Sequence, residues 1–490
     1  MTGMDRTRRE FLEDALLAAA AALPVAACTS QAGQDAHELT QPASKPTRRS
    51  ASERLRIGVV GVRGRGRAHV GAWKKSPDAE VVAICDPDSA VIGGAMRAVP
   101  DAKYYKDIRK LLEDPRIDAI SVATPNHWHS LATIWALQAG KHVYVEKPVS
   151  HDLGEGRLVV DAAKRAGRMV QHGTQARSHK ATMDAMAWLR AGGLGKVRIA
   201  RGLCYKRRKS IGKVSGDQKP PATLDYDLWI GPAEMKPLHR KSLHYDWHWD
   251  FNTGNGDLGN QGAHQMDIAR WGLGRDALPE RVVALGGRLG YDDDGNTPNT
   301  DISLFDYGDQ QIIFEVRGLK TGPYRTAKIG VVFHCEHGYL VSASYSKVVA
   351  FDLDGKVVKT FRGGGNHFQN FLDAIRSGDD SVLHAQIREG HLSAGLCHLG
   401  NVSYLLGRDR SLAATDAPFG PSGLGGSDAA DETFRRMRKH LIENGLDADK
   451  VAYKMGPVLT LDPHTERFIG AAAERANALL HRPFRQGYEV

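Results

Sequence analysis

The sequence predicts an α/β domain with a parallel sheet, followed by an α+β domain with an open, mainly antiparallel β-sheet. Three observations lead there. Short apolar strands alternate with helices from Arg56 to His172, which calls for a parallel sheet covered on both faces. The alternation opens on a glycine-rich turn, Gly58-Val-Val-Gly61-Val-Arg63-Gly64-Arg65-Gly66. From Val197 onward, strand-like runs follow one another with few helices between them, the pattern of antiparallel pairing.

Before the first strand lies a targeting segment. Arg8-Arg9-Glu10-Phe11-Leu12 is a twin-arginine pattern, and an apolar stretch runs from Ala15 to Ala27. That stretch is shorter than the ~20 apolar residues a bilayer span needs. It ends Val25-Ala26-Ala27-Cys28, similar to a lipobox with Cys28 as the lipidated residue; plain signal-peptidase cleavage is the alternative. Residues 1–28 are therefore expected to be a twin-arginine signal peptide. Residues 29–53, rich in Ser, Thr, Gln, Pro and Ala, are expected to be a flexible linker. The twin-arginine route carries folded proteins, which implies a periplasmic protein, anchored to the membrane if Cys28 is lipidated.

Residues 54–172 hold the alternating pattern. Strands are expected at Arg56–Val60, Glu80–Cys85, Asp118–Ala123, His142–Glu146 and Met169–His172, with helices from Asp88 and at His129–Ala139 and Leu153–Ala166. Such sheets bind ligands beyond the carboxyl ends of their strands, where Gly61, Asp86, Thr124 and Lys147 fall. Gly61 and Gly66 take the first and third places of a dinucleotide fingerprint; Arg63 holds the middle place, with Gly64 beside it. Asp86 lies twenty-five residues past Gly61, at the end of the second strand. A carboxylate there accepts hydrogen bonds from ribose hydroxyls and repels a 2′-phosphate, which favours NAD over NADP. Arg63, Arg65 and Arg67 pull the other way, since a guanidinium pairs with that phosphate.

Residues 173–408 are expected to form the second domain. Its strands are read at Val197–Tyr205, Arg281–Leu289, Asp301–Tyr307, Gln310–Val316, Lys328–Cys335, Tyr339–Ala343, Lys347–Phe351 and Val357–Phe361, with Asp354-Gly355 as a hairpin turn. Helices follow at Phe368–Ser377 and Ile387–Leu406. Residues 409–490 carry mixed helical and irregular signals and read as an extension.

At 490 residues, 41% hydrophobic and 25% charged, the composition is that of a globular protein of two or three domains. The net charge of +9 comes from dispersed basic residues, apart from Lys206-Arg207-Arg208-Lys209, read as a solvated loop. No nucleic-acid motif accompanies them, so nucleic acid is not expected as a partner. Cys85, Cys204, Cys335 and Cys397 are too widely spaced for a metal site or a disulfide framework and are expected as free, mostly buried thiols. No metal is expected, although His244, Asp246, His248 and Asp250 have a ligand-like alternate spacing.

Two further runs, TPNHWH (Thr124 to His129) and HVYVEKP (His142 to Pro148), follow the glycine turn in order. With them the chain resembles the Gfo/Idh/MocA oxidoreductases, the family of glucose–fructose oxidoreductase and inositol dehydrogenases, over roughly residues 54–408. The resemblance implies a Rossmann domain and then an open-sheet domain that holds a sugar against a nicotinamide. It makes Lys147, in Glu146-Lys147-Pro148, a catalytic acid/base. The family's second motif reads Gly254-Asn-Gly256-Asp257-Leu-Gly259-Asn260-Gln-Gly-Ala-His264, so His264 matches the catalytic histidine. Asn260 stands where the family has aspartate. An amide orients a hydroxyl but is no base, so proton transfer rests on Lys147 and His264. Asp257 could substitute from the turn, or be structural.

The cofactor is assigned to Gly61, Val62, Arg63, Gly64, Arg65, Gly66, Asp86, Thr124, Pro125, Asn126, His129, Glu146 and Lys147. The substrate is assigned to Gln175, Arg177, Trp247, His248, Trp249, Asn260 and His264. A core aromatic cluster is the alternative around Trp247, and structural hydrogen bonding around Gln175. The expected activity is NAD(H)-dependent oxidation or reduction of a sugar or sugar derivative at a ring CH–OH. An exported enzyme cannot draw on a cytoplasmic NAD pool, so tight cofactor binding is expected. An NAD-dependent glycosidase, using transient oxidation and elimination, is the second reading. A lipid-anchored carbohydrate-binding protein with a vestigial cofactor site is the third. Family members associate through the open sheet, and alternation in Gln310–Val316 and Lys328–Cys335 is compatible with such a homo-oligomer.

Overall fold

The computed structural model describes residues 53–420 and 428–490. The twin-arginine pattern, Cys28 and nearly all of the linker lie outside the described residues.

The first sheet comprises β1 (Leu55–Val60), β2 (Ala79–Cys85), β3 (Lys103–Tyr105), β4 (Ala119–Val122), β5 (His142–Val145) and β6 (Val170–His172). All six are parallel, in the order β3-β2-β1-β4-β5-β6. The strands read as apolar runs because both faces are covered. Ile57, Val59, Ile84 and Tyr144 face a cluster with Val70 and Trp73 of helix α1 (Arg65–Lys75). Val60, Cys85, Ile120 and Val143 face the other way, toward Leu131 and Ile134. Between β2 and β5 come α2 (Gly93–Ala98), α3 (Ile108–Leu112) and α4 (Asn126–Gln138); α5 (Leu153–Ala166) precedes β6. Helix α5 begins where the Asp152 carboxylate accepts the Glu155 amide, and ends at Gly167 in the left-handed region. The helix expected from Asp88 starts only at Gly93, because Asp88 is held in an extended bridge to Leu224.

After α6 (Lys180–Arg190) comes β7 (Val197–Cys204), then α7 (Tyr226–Ile230), α8 (Gly256–Asn260) and α9 (Gly262–Leu273). The strands resume with β8 (Arg281–Gly287), β9 (Thr300–Asp306), β10 (Gln311–Arg317), β11 (Ile329–Cys335), β12 (Gly338–Ser344), β13 (Lys347–Phe351) and β14 (Val357–Arg362). Antiparallel pairing dominates, but β7 pairs parallel to β10, so the sheet is mixed. Helices α9 and α11 (Ile387–Leu405) pack on its inner face, and α11 also packs on α5, joining the two sheets. Helix α10 (His367–Ser377) returns to the first domain, stacking Phe368 on Tyr144.

The extension is more ordered than its sequence signals. Strands β15 (Arg408–Ser411) and β16 (Ala452–Met455) continue the second sheet from β8, while β17 (Leu459–Asp462) pairs with both β8 and β18 (Arg467–Ile469). Helix α12 (Ala429–Glu443) lies on the outer sheet face, burying Phe434, Met437 and Leu441 against Ile302, Leu304 and Ile313. Arg436 of α12 places two guanidinium nitrogens on buried Glu315, at 2.7 and 2.9 Å. Part of the face whose outward residues were compatible with self-association is thus covered by the chain's own helix. Helix α13 (Ala473–Asn477) precedes a last segment that packs on α4, with Tyr488 against Trp128 and Trp135. The four cysteines among the described residues are free thiols; Cys335 is half-buried and the other three are buried.

Candidate functional site

The site is built at the carboxyl ends of β1, β2, β4 and β5. Gly61 follows β1 with φ of 80°, and a Cβ there would lie 2.8 Å from the Ala123 carbonyl oxygen. A Cβ on Gly66 would lie 1.8 Å from the Gly61 oxygen, so α1 can pack this close only through glycine. Gly64 faces open space at the start of α1. The imperfect fingerprint therefore keeps the two glycines the backbone demands and leaves an open approach at a helix N-terminus, the setting a pyrophosphate uses. Val62 N–H donates to Asp86 at 2.9 Å, and Asp88 N–H donates to its other oxygen at 3.1 Å. Burial raises the Asp86 pKa, while those two amides pull it back down. These bonds fix the carboxylate at the end of β2 and leave each oxygen a further lone pair. These features fit an NAD-type dinucleotide, with Thr124, whose buried hydroxyl has no partner, at the end of β4.

Glu146 directly follows β5 and is enclosed by donors. Arg65 Nε lies 2.8 Å from Oε1, His69 Nε2 3.0 Å and Gln175 Nε2 3.2 Å. Burial pushes this carboxyl up, but Arg65 and His69 together hold it well below the usual range. His69 is fully buried between Ser121 and Glu146, and the sequence reading had passed it over. Arg65 and Glu146, both assigned to the cofactor, thus contact each other, and Gln175 joins them rather than standing apart. Glu146 is a fixed anion one residue before Lys147.

Lys147 Nζ donates to the Asn260 carbonyl at 2.6 Å and faces the Asn260 side-chain oxygen at 3.4 Å. Burial lowers its pKa, partly offset by Glu146. Asn260 Nδ2 donates to Asp257 Oδ1 at 3.5 Å, and His248 Nδ1 lies against the Tyr245 carbonyl. Burial, joined by the charge of Lys147, lowers His248 and His264 each to about 3, so both rings are neutral at pH 7. His264 Nδ1 is buried without a partner. Lys147, Asn260, His248 and His264 therefore lie within electrostatic or hydrogen-bond reach of one another, although 117 residues separate the first from the last. Trp247 stacks on His248 with ring centroids 3.5 Å apart, while Trp249 is buried and lies beneath Arg208.

Some assigned residues are used otherwise. Arg177 is 7% exposed, and its Nε sits 3.0 and 2.8 Å from the two Asp267 oxygens while Nη2 reaches Glu389 at 2.9 Å. These bonds tie the turn after β6 to α9 and to Glu389. Asn126 is buried and donates to the Asn255 side chain at 3.0 Å. His129 lies between the Thr124 and Pro148 carbonyls, bracing the loop behind Lys147. Pro125 caps α4, and Arg63 is exposed on the glycine turn. Arg208, read as part of a solvated loop, makes a two-nitrogen ion pair with buried Asp257 at 2.6 and 2.8 Å. That pair engages both Asp257 oxygens, and both of its members act electrostatically on Lys147. Tyr345, 5.8 Å from the His264 ring, was also missed. Among the described residues no cluster of three or more His, Cys, Asp or Glu could hold a metal ion.

Residues 55–174 match the oxidoreductase family with an NAD-binding Rossmann fold, and residues 195–421 match the same family's C-terminal α/β domain. Levoglucosan dehydrogenase of Pseudarthrobacter phenanthrenivorans is 25% identical over 48% of this chain and 57% of its own length. Glycosyl hydrolase family 109 protein 2 of Shewanella sp. (strain ANA-3) is 31% identical over 34% of this chain and 39% of its own. The chain thus spans about half the length of these curated relatives. Among solved structures, the WlbA dehydrogenase of Bordetella pertussis, crystallised with NADH and UDP-GlcNAcA, has the same fold at a TM-score of 0.53 and 20% identity, over 70% of this chain and 94% of that one. With the glycine turn, the Glu146-Lys147-Pro148 strand end and both domain matches in register, this chain belongs to the Gfo/Idh/MocA oxidoreductases and carries their NAD-binding Rossmann domain.

Proposed function

We propose that the chain is an exported NAD(H)-dependent oxidoreductase that exchanges hydride with a ring CH–OH of a sugar or sugar derivative. The observation that carries this is the convergence of Lys147, Asn260, His248 and His264 beside the glycine turn. A bound nicotinamide would supply the hydride acceptor. Lys147 Nζ, held by Asn260 and made easier to deprotonate by burial, takes the hydroxyl proton as the carbon gives up hydride. Neutral His264 offers a second acceptor, and Asn260 and His248 orient neighbouring hydroxyls. Glu146 is already neutralised by Arg65 and steadies Lys147 without exchanging protons itself. Asp86 favours NAD over NADP. The Arg8-Arg9 pattern and Cys28 support export to the periplasm with a lipid anchor, and export in turn supports a tightly held cofactor.

The match to glycosyl hydrolase family 109 favours a second reading, in which transient oxidation drives elimination of an aglycone and hydride then returns. Purified holoprotein incubated with a panel of sugars and glycosides separates the two. A product two mass units lighter with reduced cofactor means oxidation; a released aglycone with unchanged cofactor means elimination. Saturable sugar binding with neither product would leave a carbohydrate-binding protein with a vestigial cofactor site.

A further inference from the structure

A single excursion between β7 and α8 runs along the carboxyl edge of the first sheet. Its first anchor is Asp88, two residues past Asp86 and 3% exposed. Thr223 Oγ1 donates to Asp88 Oδ1 at 2.8 Å, and His244 Nε2 lies 2.8 Å from Asp88 Oδ2. The backbone joins as well: Ser89 N–H donates to the Thr223 carbonyl at 3.1 Å, and Asp225 N–H to the Pro87 carbonyl at 3.0 Å. The excursion ends at His248, whose ring is acted on by the charge of Lys147.

One segment is therefore tied down two residues past the ribose-binding Asp86 and runs from there toward the surroundings of Lys147. We infer that residues 223–248 form a strap that holds the dinucleotide in place, its closure set by Thr223 and His244 on Asp88. This rests on the NAD reading above and adds a physical cause for retention. A dinucleotide at Asp86 could leave only after the strap lifts, and lifting breaks both side-chain bonds to a buried carboxylate. Bonds of that kind slow opening by roughly ten- to a hundred-fold each. Neither residue is placed among the groups that carry the reaction.

The test measures release of nucleotide from holoprotein. Protein loaded with NADH is mixed with excess NAD, and the loss of bound NADH fluorescence gives the release rate. His244→Ala and Thr223→Val should each release NADH about tenfold faster or more, and His244→Gln, which can still donate to Asp88, should restore slow release. Turnover at saturating NAD should stay within about twofold of the parent. Melting of nucleotide-free protein controls for a general loss of fold. If His244→Ala alone fails to fold, the Thr223→Val and His244→Gln pair decides. Parental release rates in folded Thr223→Val and His244→Ala would overturn the strap while leaving the NAD reading intact. A parent that yields NADP or no nucleotide on denaturation would instead overturn the NAD reading.

Discussion

Replacing Lys147 by methionine removes the ammonium while keeping nearly the same side-chain length. Loss of a positioned acid/base group costs 10²- to 10⁴-fold in turnover, or about 3–5 kcal/mol of barrier. The stability cost should be much smaller. The substitution leaves the Asn260 carbonyl without the donor now 2.6 Å away, a penalty of about 1–3 kcal/mol. Against this, methionine avoids the desolvation that lowers the lysine pKa, and Glu146 keeps Arg65 and His69 as partners. The two effects oppose each other, so melting should move by only a few degrees while turnover collapses. The assay is single-turnover absorbance of the bound nicotinamide after mixing with an active sugar, alongside thermal melting and nucleotide quantification. In the oxidation direction the parent rate should rise with pH through a lysine pKa below 10.5, because the neutral amine is the base, and this limb should vanish in the variant. Turnover within tenfold of the parent, with nucleotide still bound, would refute the assignment of proton transfer to Lys147.

Gly66→Ala should abolish dinucleotide binding or unfold the first domain, since its Cβ would fall 1.8 Å from the Gly61 oxygen; equilibrium dialysis with NAD checks this. Asn260→Ala should raise the KM for sugar more than it lowers kcat, because the side-chain amide orients and the Lys147 contact to the backbone carbonyl remains; steady-state kinetics show the split. Phe434→Ala should destabilise the fold by about 3–5 kcal/mol, measured by urea titration, since this ring is fully buried under α12. Acid should unfold the protein early. His127, His172, His248 and His264 fall from 6.5 to about 3 on folding through burial, so the unfolded state binds more protons between those values. Stability contributed by these neutral rings is whole above pH 6.5 and drops by about 1.4 kcal/mol per ring per pH unit below it, readable as a falling urea midpoint.

The first sheet was legible because its strands bury both faces and so read as unbroken apolar runs between helices. The short β3 escaped, as did β15 to β18, because three or four residues carry no usable period. Lys147, Asn260 and His264 were singled out through the family's motifs, whereas Arg208 and Tyr345 beside them were not. Arg208 looked like any arginine in a basic run; its partner Asp257 is forty-nine residues away, and only the folded chain pairs them. The partners of Arg177 were equally hidden. An arginine just past a strand end reads the same whether it faces a pocket or, as here, Asp267 one turn beyond His264. Glu146 was assigned to the cofactor, but its neutralisation was hidden, since the guanidinium and imidazole that surround it come from α1, 81 and 77 residues earlier.

The way β16 closes the second sheet has a consequence for biosynthesis. Its Lys454 pairs with Gly286 of β8, a strand made about 170 residues earlier. While the ribosome is still adding those residues, the edge of β8 has no neighbour and the apolar surface under α12 is bare. Unpaired edges and exposed apolar faces of this kind are where nascent chains aggregate or attract chaperones. The nascent chain must therefore be sheltered until residue 455 has cleared the exit tunnel, and the last fifth of the sequence works as a late seal on a domain otherwise already laid down.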